Sequence, residues 1–221
     1  EERYADYLDV DQFLRFVAGN VVVCNLDSFF GGSQNHYIYL EPESNRFQFL
    51  PWDMDHSFGA FHMMGTPDAR RDLSIDRPIT DKHPIIERVL RVPGNKERYH
   101  EHLDDYLNTI FDEEKMFGQI ESVGAFVRPM VSLNGGDAEE RFDRVVTKLK
   151  ASKGRKSKQA RPAEKAWSLS NDAVKVSTKD SGRAFTLALK SKDASEFGAF
   201  LSMRMERLYE EFQESTKEET T

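Results

Sequence analysis

At 221 residues the chain suits one large domain, and 16 Phe, 7 Tyr and 2 Trp within a 38% hydrophobic composition support a packed core and exclude disorder throughout. A net charge of −7 argues against general affinity for nucleic acid. No apolar run approaches the roughly 18 residues of a membrane-crossing helix, and the single cysteine, Cys24, excludes an internal disulfide framework. The opening Glu1-Glu2-Arg3-Tyr4 has no initiator Met and no signal-peptide pattern, so the chain reads as a mature or excised piece of a longer protein.

In chain order, the first element is a helix capped by Asp9 or Asp11, with Phe13, Leu14, Phe16, Val17 and Val21 at helical spacing. It enters Val21-Val22-Val23-Cys24, where the thiol reads as a buried packing group, and ends near Asn25-Leu26-Asp27. Ser28 to Gln34 read as a loop around Gly31-Gly32. His36 to Leu40 alternate and suit a strand, Pro42 to Asn45 a turn, and Phe47 to Leu50 the returning strand of a hairpin. That hairpin sets Asn35 at the start of one strand and Asp53 just past the end of its antiparallel partner.

Phe61 to Asp81 read as irregular, punctuated by Gly65, Pro67 and Pro78. Pro84 to Val92 forms a helix that Pro93-Gly94 breaks, and Lys96 to Ile110 forms another, with Tyr99, Leu103, Tyr106 and Leu107 on one face. Asp112 caps a helix running towards Pro129, with Glu113 and Glu114 at the positive end of its dipole. Gly135-Gly136-Asp137 starts a helix containing Phe142, Val145, Val146 and Leu149. Lys148 to Lys165 carries eight Lys or Arg against one Glu, and the overlapping stretch Ala151 to Ala166 reads as a mobile linker. Ala173 to Val176 and Phe185 to Leu189 alternate as a small β insertion, and Ala194 to Gln213 form a last helix. The expected organisation is a core over 1–150, an insertion over 151–193, a helix over 194–213 packing back on the core, and a frayed tail over 214–221. The class is α+β, mostly helical with a small antiparallel sheet.

The chemistry concentrates in Pro51-Trp52-Asp53-Met54-Asp55-His56-Ser57-Phe58-Gly59. Two carboxylates one residue apart at the mouth of a strand can hold a divalent cation against a phosphate, because Mg2+ takes hard oxygen ligands. Asn35 adds a carbonyl oxygen, and Asp27 a carboxylate able to face an acceptor. Kinases divide phosphoryl transfer in this way, one Asp orienting the acceptor hydroxyl while an Asn and another Asp hold the metal. Each residue alone has a plainer role. Asp-rich loops bind their own backbone, Asp27 can end a helix beside Ser28, Asn35 can serve a turn, and Trp52 reads as core. His56 and His62 could join the two carboxylates around zinc, but without Cys or a close His pair they read as surface or hydrogen-bonded groups.

Taken in order, Asn25-x-Asp27, Asn35-His36-Tyr37-Ile38-Tyr39 and Phe49-Leu50-Pro51-Trp52-Asp53-Met54-Asp55-x-x-Phe58-Gly59 resemble the spore-coat protein H (CotH) kinase family of atypical protein kinases. The ending Phe200-Leu201-Ser202-Met203-Arg204, with Leu208 four on, is similar to that family too. The resemblance implies an atypical protein-kinase-like C-lobe whose small sheet carries the metal site. It implies transfer of the γ-phosphate of ATP to Ser or Thr of a protein substrate, with Mg2+ or Mn2+. Carried over residue by residue, Asp27 matches the catalytic-loop Asp, Asp53 the metal-binding Asp and Asn35 the catalytic-loop Asn. Asp55 completes the motif as a further carboxylate of the metal site.

Two features depart from the family pattern. Gln34 stands where the family often has His, and only Arg3 and Arg15 precede Asp27 where a Lys would grip the ATP phosphates. An N-lobe is therefore expected upstream in the parent chain, or has been lost. Two other readings stand beside the kinase: a catalytically inactive kinase-like coat or cell-surface assembly protein, and a carboxylate-metal phosphohydrolase. The latter wants more His and Asp ligands than cluster here. An extracytoplasmic place, at the cell surface or spore coat, is implied by the resemblance alone.

Overall fold

The computed structural model describes residues 3–79, 83–135, 137–152, 174–177, 184–187, 204–205, 207–208 and 210–211. The linker expected past Ser152, the tail 214–221 and most of the expected last helix lie outside them. Among the described residues the chain is mostly helical with two small two-stranded antiparallel sheets, an α+β arrangement. Contacts group it into two compact units, residues 1–111 with 205–221, and residues 112–204. No described helix is long and apolar enough to cross a membrane.

The first unit is built on α1 (Val10–Val22). Asp9 caps it, its Oδ1 accepting the Gln12 N–H at 3.2 Å, as expected for a carboxylate ahead of an apolar-periodic run. The stripe Phe13, Leu14, Val17 and Val21 is buried to 1% exposure or less. It packs against α5 (Pro93–Thr109), whose Tyr99, Leu103 and Leu107 are buried in turn. Each such side chain contributes about 1.5–3 kcal/mol of transfer free energy. Pro93 does not simply break the preceding helix α4 (Pro84–Leu90). It is the first residue of α5, where a missing N–H costs nothing and the fixed φ is already helical.

The hairpin forms as expected, β1 (His36–Glu41) pairing antiparallel with β2 (Arg46–Pro51) in the register His36↔Pro51 to Glu41↔Arg46. Glu41 closes the turn by accepting the Ser44 N–H at 2.6 Å and the Glu43 N–H at 3.1 Å. Those bonds hold its carboxyl below the usual carboxylate range. Gln12 locks the hairpin to α1 by bonding both backbone groups of Phe49, donating to its O at 2.5 Å and accepting its N–H at 2.8 Å. Phe49 then completes an aromatic cluster with Phe13 at 5.0 Å, Phe29 at 4.9 Å and Phe16 at 5.8 Å.

Two segments expected to be irregular contain short helices, α2 (Phe29–Gly32) and α3 (Pro67–Arg71). In α2 the buried rings of Phe29 and Phe30 supply tertiary packing that overrides the weak helical signal of a Gly pair.

The second unit holds α6 (Glu113–Ser132), α7 (Ala138–Ser152) and a hairpin of β3 (Val174–Ser177) and β4 (Ala184–Leu187). Asp112 caps α6 by accepting the Lys115 N–H at 2.9 Å. The helix does not stop at Pro129 but runs through it to Ser132. The lost N–H bond is outweighed because Val127, Met130 and Val131 pack with Ala138, Phe142 and Val146.

Candidate functional site

The site grows from the end of α1, where the chain turns sharply through Cys24 at φ 49°. Cys24 is fully buried and its thiol donates to the Arg70 carbonyl at 2.7 Å. Asn25 is buried too, and its amide donates to Asn20 Oδ1 at 3.3 Å and towards the Met54 sulfur at 3.2 Å. Ser28 Oγ donates to Asn25 O at 2.6 Å and closes the turn around Asp27. Gly31 is required here: a Cβ on it would lie 1.9 Å from the Leu26 carbonyl oxygen, so only glycine lets α2 press against the Asp27 segment.

Asn35 precedes β1 and Asp53 follows β2 by two residues, both at the open end of the hairpin. The Trp52 N–H donates to Asn35 O at 3.1 Å, one step beyond the last register pair, so pairing continues to the residue before Asp53. The Asn35 amide nitrogen donates to the Asp27 backbone oxygen at 2.7 Å, which leaves its carbonyl oxygen as the acceptor a cation would use. Asp27 is 7% exposed. Its Oδ1 accepts from the Gln34 amide, and its Oδ2 lies 3.9 Å from His56 Nε2.

Met54, between the two carboxylates, starts a 3-10 turn over Met54–His56 and is tied back through Asn25. Phe58 and Gly59 then donate to Val23 O at 2.5 Å and Cys24 O at 3.3 Å, joining the two segments that carry Asp27 and Asp53. Of six non-glycine described residues with positive φ, five border this site: Cys24, Ser33, Asn35, Asp53 and Phe58. Such conformations cost on the order of 1–3 kcal/mol each and gather where geometry matters more than stability.

Asp55 feels the charges of both Asp53 and Asp27. The Asp55 carboxyl is pushed above its ordinary range, chiefly by desolvation, with the charges of Asp53 and Asp27 adding to the rise and His56 opposing it. A divalent cation suits such a donor set. Mg2+ commonly takes one or two carboxylates and completes its octahedron with water and phosphate oxygens. No three His, Cys, Asp or Glu side chains among the described residues converge as a protein-only cage.

Two contributors escaped the sequence. Trp52 is not core: it is 48% exposed and stands edge-on to the equally exposed Tyr37, ring centroids 5.1 Å apart. The pair makes an aromatic surface next to Asp53, able to lie against a planar ring. Gln34 is the second, and its bond to Asp27, seven positions back, closes a loop that no local pattern announces.

Residues 1–160 match the profile of the family described as CotH kinase protein. The chain belongs to that family. Among curated CotH-like proteins it is similar to the inner spore coat protein H of Bacillus subtilis, 28% identical over 146 residues that make up 62% of this chain and 36% of that protein. It is also similar to two proteins of Rhizopus delemar. Invasin CotH7 is 26% identical over 132 residues, 57% of this chain and 21% of the invasin. Invasin CotH3 is 21% identical over 126 residues, 55% of this chain and 21% of the invasin. The chain thus matches about a third of the length of its spore-coat relative and about a fifth of each invasin.

Proposed function

We propose that this chain is the catalytic-metal lobe, a protein-kinase-like C-lobe, of a CotH-type atypical kinase that transfers the γ-phosphate of ATP to Ser or Thr of a protein. The observation that carries the reading is the gathering of Asp27, Asn35, Asp53 and Asp55 at one end of a hairpin, in a chain of the CotH kinase family. Asp53 and Asp55, with the Asn35 carbonyl oxygen, would hold Mg2+ or Mn2+, which would neutralise charge on the phosphates. Asp27 orients the acceptor hydroxyl. The hydroxyl oxygen bonds to the γ-phosphorus, the bond from that phosphorus to the β–γ bridging oxygen breaks, the hydroxyl proton passes to the Asp27 carboxylate, and ADP departs. Tyr37 and Trp52 offer the flat apolar surface on which the adenine ring would rest.

A Lys-bearing N-lobe carried elsewhere in a longer polypeptide completes the site in this reading. The exposed hairpin side chains are the surface on which it would pack. The names of the relatives, a spore coat protein and two invasins, favour a coat or cell-surface location. They also keep one rival in view, a kinase-like assembly protein without transfer activity.

The test is transfer of labelled γ-phosphate by the full-length protein with Mg2+ or Mn2+, beside Asp53→Ala. Removing a metal ligand should cost several kcal/mol, about 10³-fold or more in rate. Label taken up by the wild type and lost in the variant is the expected result. Equal transfer by both would remove Asp53 from the metal site, and a folded full-length protein that transfers nothing would favour the assembly protein.

A further inference from the structure

We propose that Gln34 is a positioning residue for Asp27, fixing which carboxylate oxygen meets the acceptor hydroxyl. The inference rests on the phosphotransfer reading above. Two neighbouring side chains hold Asp27 at different points. Asn35 fixes the main chain through the Asp27 carbonyl at 2.7 Å, and Gln34 fixes the side chain through Oδ1. With Oδ1 engaged, Oδ2 on the His56 side is the oxygen left for a proton.

The backbone around Gln34 is arranged for this contact. Ser33 at φ 54° and Asn35 at φ 53° are both left-handed and flank Gln34. Gly32 lies alongside the Gln34 amide, at a distance where a Cβ would just reach its Cδ and Cγ at 3.4 Å. Ser33 is the left-handed C-cap of α2, so the helix end itself delivers the exposed Gln34 side chain towards Asp27. An amide also donates to a carboxylate without itself titrating. The benefit belongs to catalysis more than binding, since placing a reacting group within a fraction of an ångström is worth up to about 10²-fold in rate.

The experiment uses the full-length protein and compares wild type, Gln34→Met, which keeps the length and loses the donor, and Gln34→His, which restores a donor. We expect kcat to fall about 10- to 100-fold in Gln34→Met with KM for ATP unchanged, and to recover in large part in Gln34→His. Wild-type kcat in Gln34→Met, or equal losses in both variants, would overturn the assignment. A second readout needs no turnover: the Gln34 side-chain amide protons should resonate downfield and exchange slowly, and move to free-amide positions in Asp27→Ala. Unchanged amide resonances in that variant would refute the contact itself. A wild type that transfers no phosphate while those resonances do move refutes the kinase reading and the catalytic purpose, leaving a structural bond.

Discussion

Asp55 sits in the structure at a cost, and the sign of that cost is testable. Its carboxyl titrates above the ordinary range because partial desolvation strips some of its water and because Asp53 and Asp27 add like charge. The folded protein therefore binds that proton more tightly than the unfolded chain does. Well below the ordinary carboxylate range both states are protonated and Asp55 has no effect; as pH rises through the unfolded and then the folded value, stability is lost. Asp55→Asn keeps the shape and removes the charge. It should raise the melting temperature at pH 7 and leave it unchanged near pH 2. The gain is below about 1 kcal/mol, because solvent screens a group at the surface. Mg2+ should in turn raise the melting temperature of the wild type more than that of Asp55→Asn, since a ligand bound only by the native state stabilises it by mass action. An Asn variant that is less stable at pH 7, or a Mg2+ response equal in both proteins at matched ionic strength, would refute this view of the cluster.

At the scale of elements, the geometry depends on how closely α2 presses on the Leu26-Asp27 turn. Gly31→Ala places a methyl group 1.9 Å from a backbone carbonyl, and neither side of that contact is a flexible side chain. We expect a loss of about 1–3 kcal/mol, read from urea midpoints, of the size typical for overpacking. Gly32→Ala, whose new Cβ would come nearest the flexible Gln34 side chain, at 3.4 Å, should cost a fraction of that. Equal midpoints for the two variants would show that α2 is not a wedge. The same elements mark what a sequence can reveal. The cap at Asp9, one of two candidates, and the hairpin itself were legible because capping and strand alternation are local rules. Pro93 and Pro129 misled for opposite reasons. One proline opens a helix instead of closing one, and the other is carried by packing from a second helix. The exposure of Trp52 and the reach of Gln34 to Asp27 were illegible because each depends on how a loop closes in space, for which no periodicity exists.

On the scale of the whole molecule, the hairpin that presents Asp53 is itself poorly covered. Tyr37, Ile38, Tyr39 and Leu40 of β1 and Phe47 and Leu50 of β2 are all more than 40% exposed. β1 pairs only with β2 among the described strands, and its sequence has no Lys or Pro of the kind that protects an edge. On the other side β2 is guarded, because the incoming chain runs beside it: Tyr7 O accepts the Phe47 N–H at 2.6 Å and the Asp9 N–H returns to Phe47 O at 3.0 Å. Exposed aromatic and aliphatic side chains of this number mark an interaction surface. If the rest of a longer polypeptide completes the kinase, it should cover this surface, because Trp52 and Tyr37 must face whatever holds the nucleotide from above. Hydrogen exchange of the full-length protein beside residues 1–221 alone can decide the matter. Amides from His36 to Glu41 should be protected at least tenfold more in the longer chain, while those of buried α1 change little. Equal exchange along β1 in both proteins would leave the hairpin open in the complete molecule, and the aromatic pair would then serve a surface contact and not an enclosed nucleotide.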